Sequence, residues 1–458
     1  MAKEKKKMAK GLKVGLIVGG SILGVLATVI GTVAIYSATY KIPKQLEKID
    51  NDTGLVQAYG RSLYNPNGDK IVLEGVNFGN IFLQEGWLSN FALEPSKKAD
   101  GSYVKDDGGY IQYPEFAEED FRNGLYNNPN CGVENYDEWF DYYFNSWVSD
   151  SDYDLLVELD LNCIRLPIYW RNLLNDDYTR KDETVAFKYI DNIIEKAKEH
   201  NLYIVLDLHG VPGSQNGFEH SGVSEHKVNF WKNETYINAA ITCWEFIVDH
   251  YQTTRTDLSS TIATYDLLNE PTYVYNGSTT KECWDVMDRL YDAIRAKNDQ
   301  HVITIEGCWT FSALPDPKQY KWENVQYEYH LYNFNNSFIS YPIFYLYHDM
   351  NNMFRDYNVP VYLGEFTFFE DKAEWYRGFE IFEERNYSWT VWNFKGVTTG
   401  WWSTSWAVLT AKLNLDKDAE ETKVNVSTCT FEEFKASCDK VRSENCEKYT
   451  LHEVLKNR

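Results

Sequence analysis

Two carboxylates stand at the ends of apolar runs. Glu270 follows "TYDLLN" (264–269) and Glu365 follows "VPVYLG" (359–364). An unpaired buried carboxylate costs several kcal/mol. Each glutamate is therefore expected to have partners or a reaction to perform. A pair converging at about 5–5.5 Å is the minimum set for cleaving a glycosidic bond with retention. One carboxylate attacks the anomeric carbon, while the other protonates the leaving oxygen and later deprotonates water. The attacking group must be ionised while the other is protonated, so their surroundings must push the two pKa values apart. Arg165, in "NCIRLPIYW" (162–170), is the charge that would hold one carboxylate ionised, and burial near that carboxylate's negative charge would keep its partner protonated.

Such convergence needs strands that end at one rim. Eight β-rich runs recur along the chain, at 71–79, 162–170, 202–210, 261–271, 301–309, 324–332, 359–366 and 387–396. Segments with helical spacing lie between them, such as 186–200 with Phe187, Ile190, Ile193 and Ile194, and 284–297 with Val286, Met287, Leu290 and Ile294. Alternating buried strands and amphipathic helices imply a parallel sheet. Eight repeats without a glycine-rich phosphate fingerprint imply an α/β protein of the (β/α)8 barrel type. The polar residues at the strand ends are then Arg165, His209, Asn269, Glu270, Glu306, His330, Tyr332, Glu365 and Trp392. Asn67-Gly68 marks a hairpin before the first strand. The stretch 81–150 reads as an extended loop after that strand, and "GVTTGWWSTSWAVLT" as another after the eighth.

"LLNEPT" and "YLGEF" strongly resemble the acid/base and nucleophile strands of glycoside hydrolase family 5, whose fold is a (β/α)8 barrel. "NPNGDKIVLEGVNFGN" is similar to that family's opening hairpin and first strand, and "NCIRLPIYW", "DLHG", "YHLY" and "TVWNFKG" follow its other strand-end motifs in order. The resemblance runs over most of 56–420. It implies Glu270 as acid/base and Glu365 as nucleophile, with Arg165 and His330 or Tyr332 supporting the nucleophile. By the same resemblance His209 and Asn269 bind the sugar next to the bond, and Trp392 is its floor. "LDLHGVPGSQNGFEHSG" (206–222) is closest to the exo-β-1,3-glucanase branch, whereas 81–150 and "TGWWSTSW" depart from it. The implied activity is retaining hydrolysis of β-linked oligo- or polysaccharides, β-glucans or β-glucosides with β-1,3 linkage favoured and β-1,4 possible. No cofactor or metal is implied. A β-mannan-active hydrolase and a non-catalytic glycan-binding barrel are the alternatives. Trp401, Trp402 and Trp406, with Trp170 and Trp309, are candidate stacking platforms for pyranose faces.

The net charge of −23 over 458 residues disfavours nucleic acid as a partner. Residues 1–13 run against that balance, with six lysines and one glutamate, a surplus of +5 that leaves −28 for the rest. Residues 14–40 contain no charged side chain, and their length exceeds the roughly 20 residues that cross a bilayer as a helix. The expected organisation is a basic cytoplasmic segment (1–13), a transmembrane signal-anchor helix (14–40), a stalk (41–55), the catalytic barrel (56–420) and a polar tail packed on it (421–458). The lysines ahead of the span place the N-terminus inside and the catalytic domain outside, as a monomer anchored in the cell membrane. Secretion after cleavage is the alternative. Eight scattered cysteines form no metal-type pair, and Cys429, Cys438 and Cys446 are candidates for one tail disulfide.

Overall fold

The computed structural model describes residues 44–309, 313–332, 357–397, 406–413 and 422–458. Contacts divide the chain into two units. One comprises Gln45–Phe334 and Tyr357–Arg458; the other, Met1–Lys44 with Asn335–Asp356, lies outside the described residues except for Lys44. The expected span at 14–40 therefore lies outside them too. Among the described residues no helix is long and apolar enough to cross a membrane.

Eight parallel strands close into a barrel. They are β1 (Glu74–Asn77), β2 (Cys163–Tyr169), β3 (Tyr203–Gly210), β4 (Ile262–Asp266), β5 (Val302–Glu306), β6 (Val325–Tyr332), β7 (Val361–Thr367) and β8 (Ser388–Val391). Each pairs with the next, and β8 closes on β1 through Trp389 opposite Glu74. All eight coincide with the β-rich runs of the sequence. Those runs read as nearly continuous apolar stretches because a parallel barrel strand is buried on both faces.

The helices follow the expected periodicity. Glu118–Asn127 (α1), Gly132–Trp147 (α2) and Asp150–Glu158 (α3) lie between β1 and β2, followed by Lys188–Glu199 (α4), Glu234–Asp249 (α5), Lys281–Ala296 (α6) and Lys372–Arg385 (α7). Helix α4 buries Ile190, Ile193 and Ile194, and α6 buries Val286, Met287, Leu290 and Ile294. The stretch 81–150 is not the extended loop that its length suggests. Tyr136, Trp139, Phe140, Tyr143, Phe144 and Trp147 recur at helical spacing and bury one face of α2, packing partly on Phe431 and Phe434 of the later helix Phe431–Lys440 (α8).

The N-terminal end of the barrel is plugged. Residues 57–59, 62–64 and 70–71 form a small antiparallel sheet whose last turn spans Asn65–Asp69 and includes Asn67-Gly68. Val56 and Leu63 pack there on Leu73, Cys163, Val205, Ala263, Val302 and Tyr362. Residues 44–55 lie along the turn, where Ile49 N–H donates to the Gly68 carbonyl and Asn51 donates to the Asn65 carbonyl. The expected tail disulfide does not form. All eight cysteines are free thiols, and Cys429 and Cys438 are buried as small apolar side chains would be.

The β1–β2 pairing leaves no room at Gly75. A Cβ there would meet the Cys163 carbonyl oxygen at 1.9 Å. Gly75→Ala is expected to destabilise the protein by about 1–3 kcal/mol, the usual range for overpacking, seen as a lowered midpoint in thermal unfolding.

Candidate active site

The C-terminal rim of the barrel surrounds a cleft of about 450 Å³ lined by Glu85, Trp87, His209, Glu219, His220, Glu270, Trp309, Tyr332, Glu365, Trp392 and Trp406. At its base sits Arg165, fully buried on β2. Its Nη1 donates to Glu365 Oε1 at 2.9 Å and to Asn77 Oδ1 at 3.1 Å. Its Nη2 donates to Asp266 Oδ2 at 2.8 Å and Asn269 Oδ1 at 2.9 Å, with Asp207 Oδ2 at 3.1 Å. One planar guanidinium on β2 thus fixes side chains at the ends of β1, β3, β4 and β7, a task its rigid fork of donors suits.

The two glutamates of the sequence patterns meet above it. Their nearest carboxylate oxygens and the Nδ1 of His330 lie within 4.8 Å of one another. His330 Nδ1 contacts Glu270 Oε1 at 2.7 Å and Glu365 Oε2 at 3.4 Å, and Tyr332 Oη donates to Glu365 Oε2 at 2.8 Å. Glu365 therefore has Arg165 on one oxygen and Tyr332 on the other.

Local backbone irregularities aim both glutamates. Between β6 and β7 the register shifts, with Tyr329 opposite Leu363 but Leu331 opposite Phe366, so one extra residue bulges out beside Glu365. Gly364 permits this close approach, since a Cβ there would stand 1.4 Å from Glu328 Oε1. Glu270 has φ +44°, a left-handed conformation uncommon for a side chain that is not glycine. Glu306 holds it there by accepting the Glu270 N–H at 2.5 Å. Glu306 is thus a support for Glu270 rather than part of the cleft wall.

Charge in this cluster is heavily one-sided. Burial, followed by repulsion from neighbouring carboxylates, pushes Glu306 and Glu328 well above the usual carboxylate range, and burial carries Asp207 up to about 7 despite Arg165. Glu270 behaves in the opposite way. Burial alone would raise its pKa, but the imidazoles of His220 and His330 outweigh burial and bring it below the usual range. Correspondingly, although burial would lower both imidazoles, His220 is pushed up to about 10 by Glu270, Glu219 and Glu85, and His330 to about 10 chiefly by Glu365, Glu270 and Glu328. Glu270 is therefore ionised, with the protons on the imidazoles that touch it, whereas the sequence leads one to expect an acid/base carboxyl that burial itself keeps protonated. His209, by contrast, is held uncharged by burial, with Nδ1 at 2.5 Å from Asp207.

His209 stacks on Trp392 at 5.7 Å, which gives the cleft a flat floor. Asn269 Nδ2 is buried without a hydrogen-bond partner among the described residues, so a donor remains for a ligand hydroxyl. Trp406 packs edge-on to Trp87 at 4.9 Å and beside Tyr332 at 5.5 Å, and Trp309 is 39% exposed at the rim. Trp170 packs instead against Tyr178 and is not among the cleft residues. Trp401 and Trp402 lie outside the described residues. Glu270, His330 and Glu365, like Glu306, Glu328 and His330, offer three donor atoms in close proximity, types that suit zinc. Here Arg165 and the imidazoles already supply the positive charge, so the cluster reads as a proton-sharing one.

Comparison with known proteins identifies the family. The family model for cellulase (glycosyl hydrolase family 5) matches residues 124–397. The chain belongs to glycosyl hydrolase family 5. Within this family 5 chain, 205 residues are 34% identical to a beta-xylosidase of Phanerodontia chrysosporium, covering 44% of the chain and 41% of that protein. A further 28% identity over 222 residues links it to glucan 1,3-beta-glucosidase 2 of Wickerhamomyces anomalus, over 48% of the chain and 46% of that protein. The chain therefore spans less than half the length of these two relatives. The crystal structure of rutinosidase from Aspergillus niger shares the fold, with a TM-score of 0.52 at 16% identity over 80% of this chain and 96% of that one.

The sequence patterns did not single out Glu85, Trp87, Glu219 and His220 of the cleft, nor Asn77, Asp207, Asp266 and Glu328 beneath it. Alternation was an available signal for several. In "VQYEYHLY" Gln326, Glu328, His330 and Tyr332 fall on one strand face, and in "YIVLDLHG" Asp207 and His209 do.

The Arg165 fork yields a stability prediction. Arg165→Met should cost about 3–5 kcal/mol, because Asp207, Asp266 and Glu365 would stay buried without their cation. Arg165→Lys should cost less, since it retains charge but loses the bidentate geometry. Chemical denaturation of both variants checks the order.

Proposed function

We propose that this protein is a retaining β-glycoside hydrolase acting on β-glucans or β-glucosides. The observation that carries the reading is the approach of the Glu270 and Glu365 oxygens to within 4.8 Å. Retaining enzymes hold their carboxyl groups about 5–5.5 Å apart, whereas inverting ones need about 6.5–9.5 Å to admit a water. Glu365, held by Arg165 and Tyr332, is the nucleophile. Glu270 is the acid/base. A β-glycoside lies on Trp392 with a ring hydroxyl on Asn269 Nδ2. Glu365 Oε2 forms a bond to the anomeric carbon as the C–O bond to the leaving group breaks and the proton shared by Glu270 passes to the departing oxygen. Water then attacks the glycosyl-enzyme from the same face, returning one proton to Glu270 and releasing Glu365.

Two features favour glucans. Several relatives are described as glucan 1,3-beta-glucosidases, and the 206–222 loop is similar to that branch. β-1,3 linkage is therefore the first substrate to try, with β-1,4 the second. A β-xylosidase among the relatives makes aryl β-xyloside a necessary comparison. We further place the barrel outside a membrane, tethered through the uncharged residues 14–40.

Proton NMR of a fresh digest should show the β-anomer of the product before mutarotation, and an initial α-anomer would reject retention. Glu365→Ala should lower kcat by several orders of magnitude on every substrate. Glu270→Ala should hurt substrates with poor leaving groups far more than activated aryl glycosides, because only the former require a proton in the transition state. Equal losses would remove Glu270 from the acid/base role. For the tether, the full chain should stay with membranes through an alkaline carbonate wash, and release by that wash would show that it does not cross the bilayer.

A further inference from the structure

The cleft contains one titratable contact that the double displacement described above does not require. His220, in the short turn Glu219–Ser221 after β3, places Nε2 at 2.8 Å from Glu270 Oε2. The other Glu270 oxygen is taken by His330, so Oε2 is the atom left to carry the catalytic proton. Asn216 fixes the chemistry of the contact. Its Oδ1 accepts the Phe218 N–H at 2.9 Å and its Nδ2 donates to the Glu270 carbonyl at 3.2 Å, which sets the amide's orientation. The same Nδ2 lies 3.1 Å from His220 Nε2. A carboxylate oxygen and an imidazole lone pair would repel at 2.8 Å, so the pair holds a proton, as an ion-pair contact rather than an aligned hydrogen bond. The proton rests either on Oε2, with the single Nε2 lone pair directed at Glu270 or Asn216, or on Nε2.

We propose that His220 is a positioning residue that shares the acid/base proton of Glu270 and thereby sets the alkaline limit of the reaction. This rests on the glycosidase reading of the same cleft. The Phe218 ring stacks on His220 at 5.2 Å and holds it in place. The charged and titratable groups facing it are Glu270 from the end of β4, Glu219 from its own turn, Glu85 from the loop after β1, and His209 from β3. Three of these are acidic, so the His220–Glu270 pair retains its proton to higher pH than a lone carboxyl would. In the first half-reaction that proton leaves Oε2 for the glycosidic oxygen as the C–O bond breaks. In the second, water returns one proton to the pair, so none is gained or lost overall.

The sign of the pH effect follows. The pair is active while it holds its proton and fails as pH rises through the pair's pKa, which belongs to both groups together. Removing the imidazole should bring that limit down. With 4-methylphenyl β-glucoside, His220→Asn and His220→Gln should shift the alkaline limb of kcat/KM downward by about one pH unit or more, roughly a tenfold loss at the alkaline end. With 2,4-dinitrophenyl β-glucoside, whose leaving group needs no proton, kcat/KM should change only a few-fold. An unmoved alkaline limb, or equal losses on both glucosides, would mean that His220 merely fills space. The wild-type protein gives an independent reading, since its His220 nitrogens, followed by nitrogen-15 NMR, should titrate well above the ordinary histidine range. Titration at the ordinary value in the folded wild type would overturn the proposal whether or not the variants fold. If the wild type cleaves neither glucoside, the glycosidase reading fails, while the NMR titration still decides whether the proton is shared.

Discussion

A single guanidinium fully out of water, with carboxylates from four strands around it, governs the architecture of this rim. Arg165 contacts Asp207, Asp266 and Glu365 directly, with Glu328 at 3.6 Å. Removing ions from water is costly, and their mutual attraction offsets that cost only when geometry is good and the remaining lone pairs are satisfied. Four carboxylates cannot all be ionised around one fixed positive charge. Some must keep protons, which is why burial lifts Glu328 and Asp207 while Glu365 stays clamped to the fork. Proton placement at the rim is therefore a property of the set rather than of any one acid.

That set works only if the strands that carry it are held in register. A parallel barrel supplies rigid pairing, and the deviations from it are few and local. One extra residue beside Glu365 and one left-handed residue at Glu270 redirect side chains that a regular strand would send to other positions. Glu306 acts on the backbone of Glu270 and not on a ligand. Structural and chemical carboxylates thus occur side by side at the same depth, distinguished by which atom they bind.

The barrel was legible because parallel strands buried on both faces leave strong apolar runs, and because helices between them carry period-3.6 stripes. The carboxylate pair was legible for a related reason, since Glu365 ends a run that otherwise holds no charge and Glu270 ends one whose only other acid is Asp266. Asp207, Asp266 and Glu328 sit inside such runs as well, and alternation puts Glu328 on the face of His330 and Asp207 on that of His209, but nothing in a linear pattern says that one buried cation meets all three. Glu85, Trp87 and His220 come from loops, whose course depends on packing far along the chain. Helix α2 was misread as loop because its stripe is built from tyrosine, tryptophan and phenylalanine amid acidic residues, a composition that is weakly helical by propensity and ordered by burial against α8.

The plug at the N-terminal end of the barrel fixes where the chain enters this unit. Gln57 bonds the Gln300 carbonyl and Ala58 bonds Asn324, both ahead of strands β5 and β6. The chain therefore enters this unit on the side opposite the cleft mouth. The entry point and the cleft thus lie at opposite ends of the barrel strands, so a substitution in the plug acts on stability without altering the chemical groups at the rim.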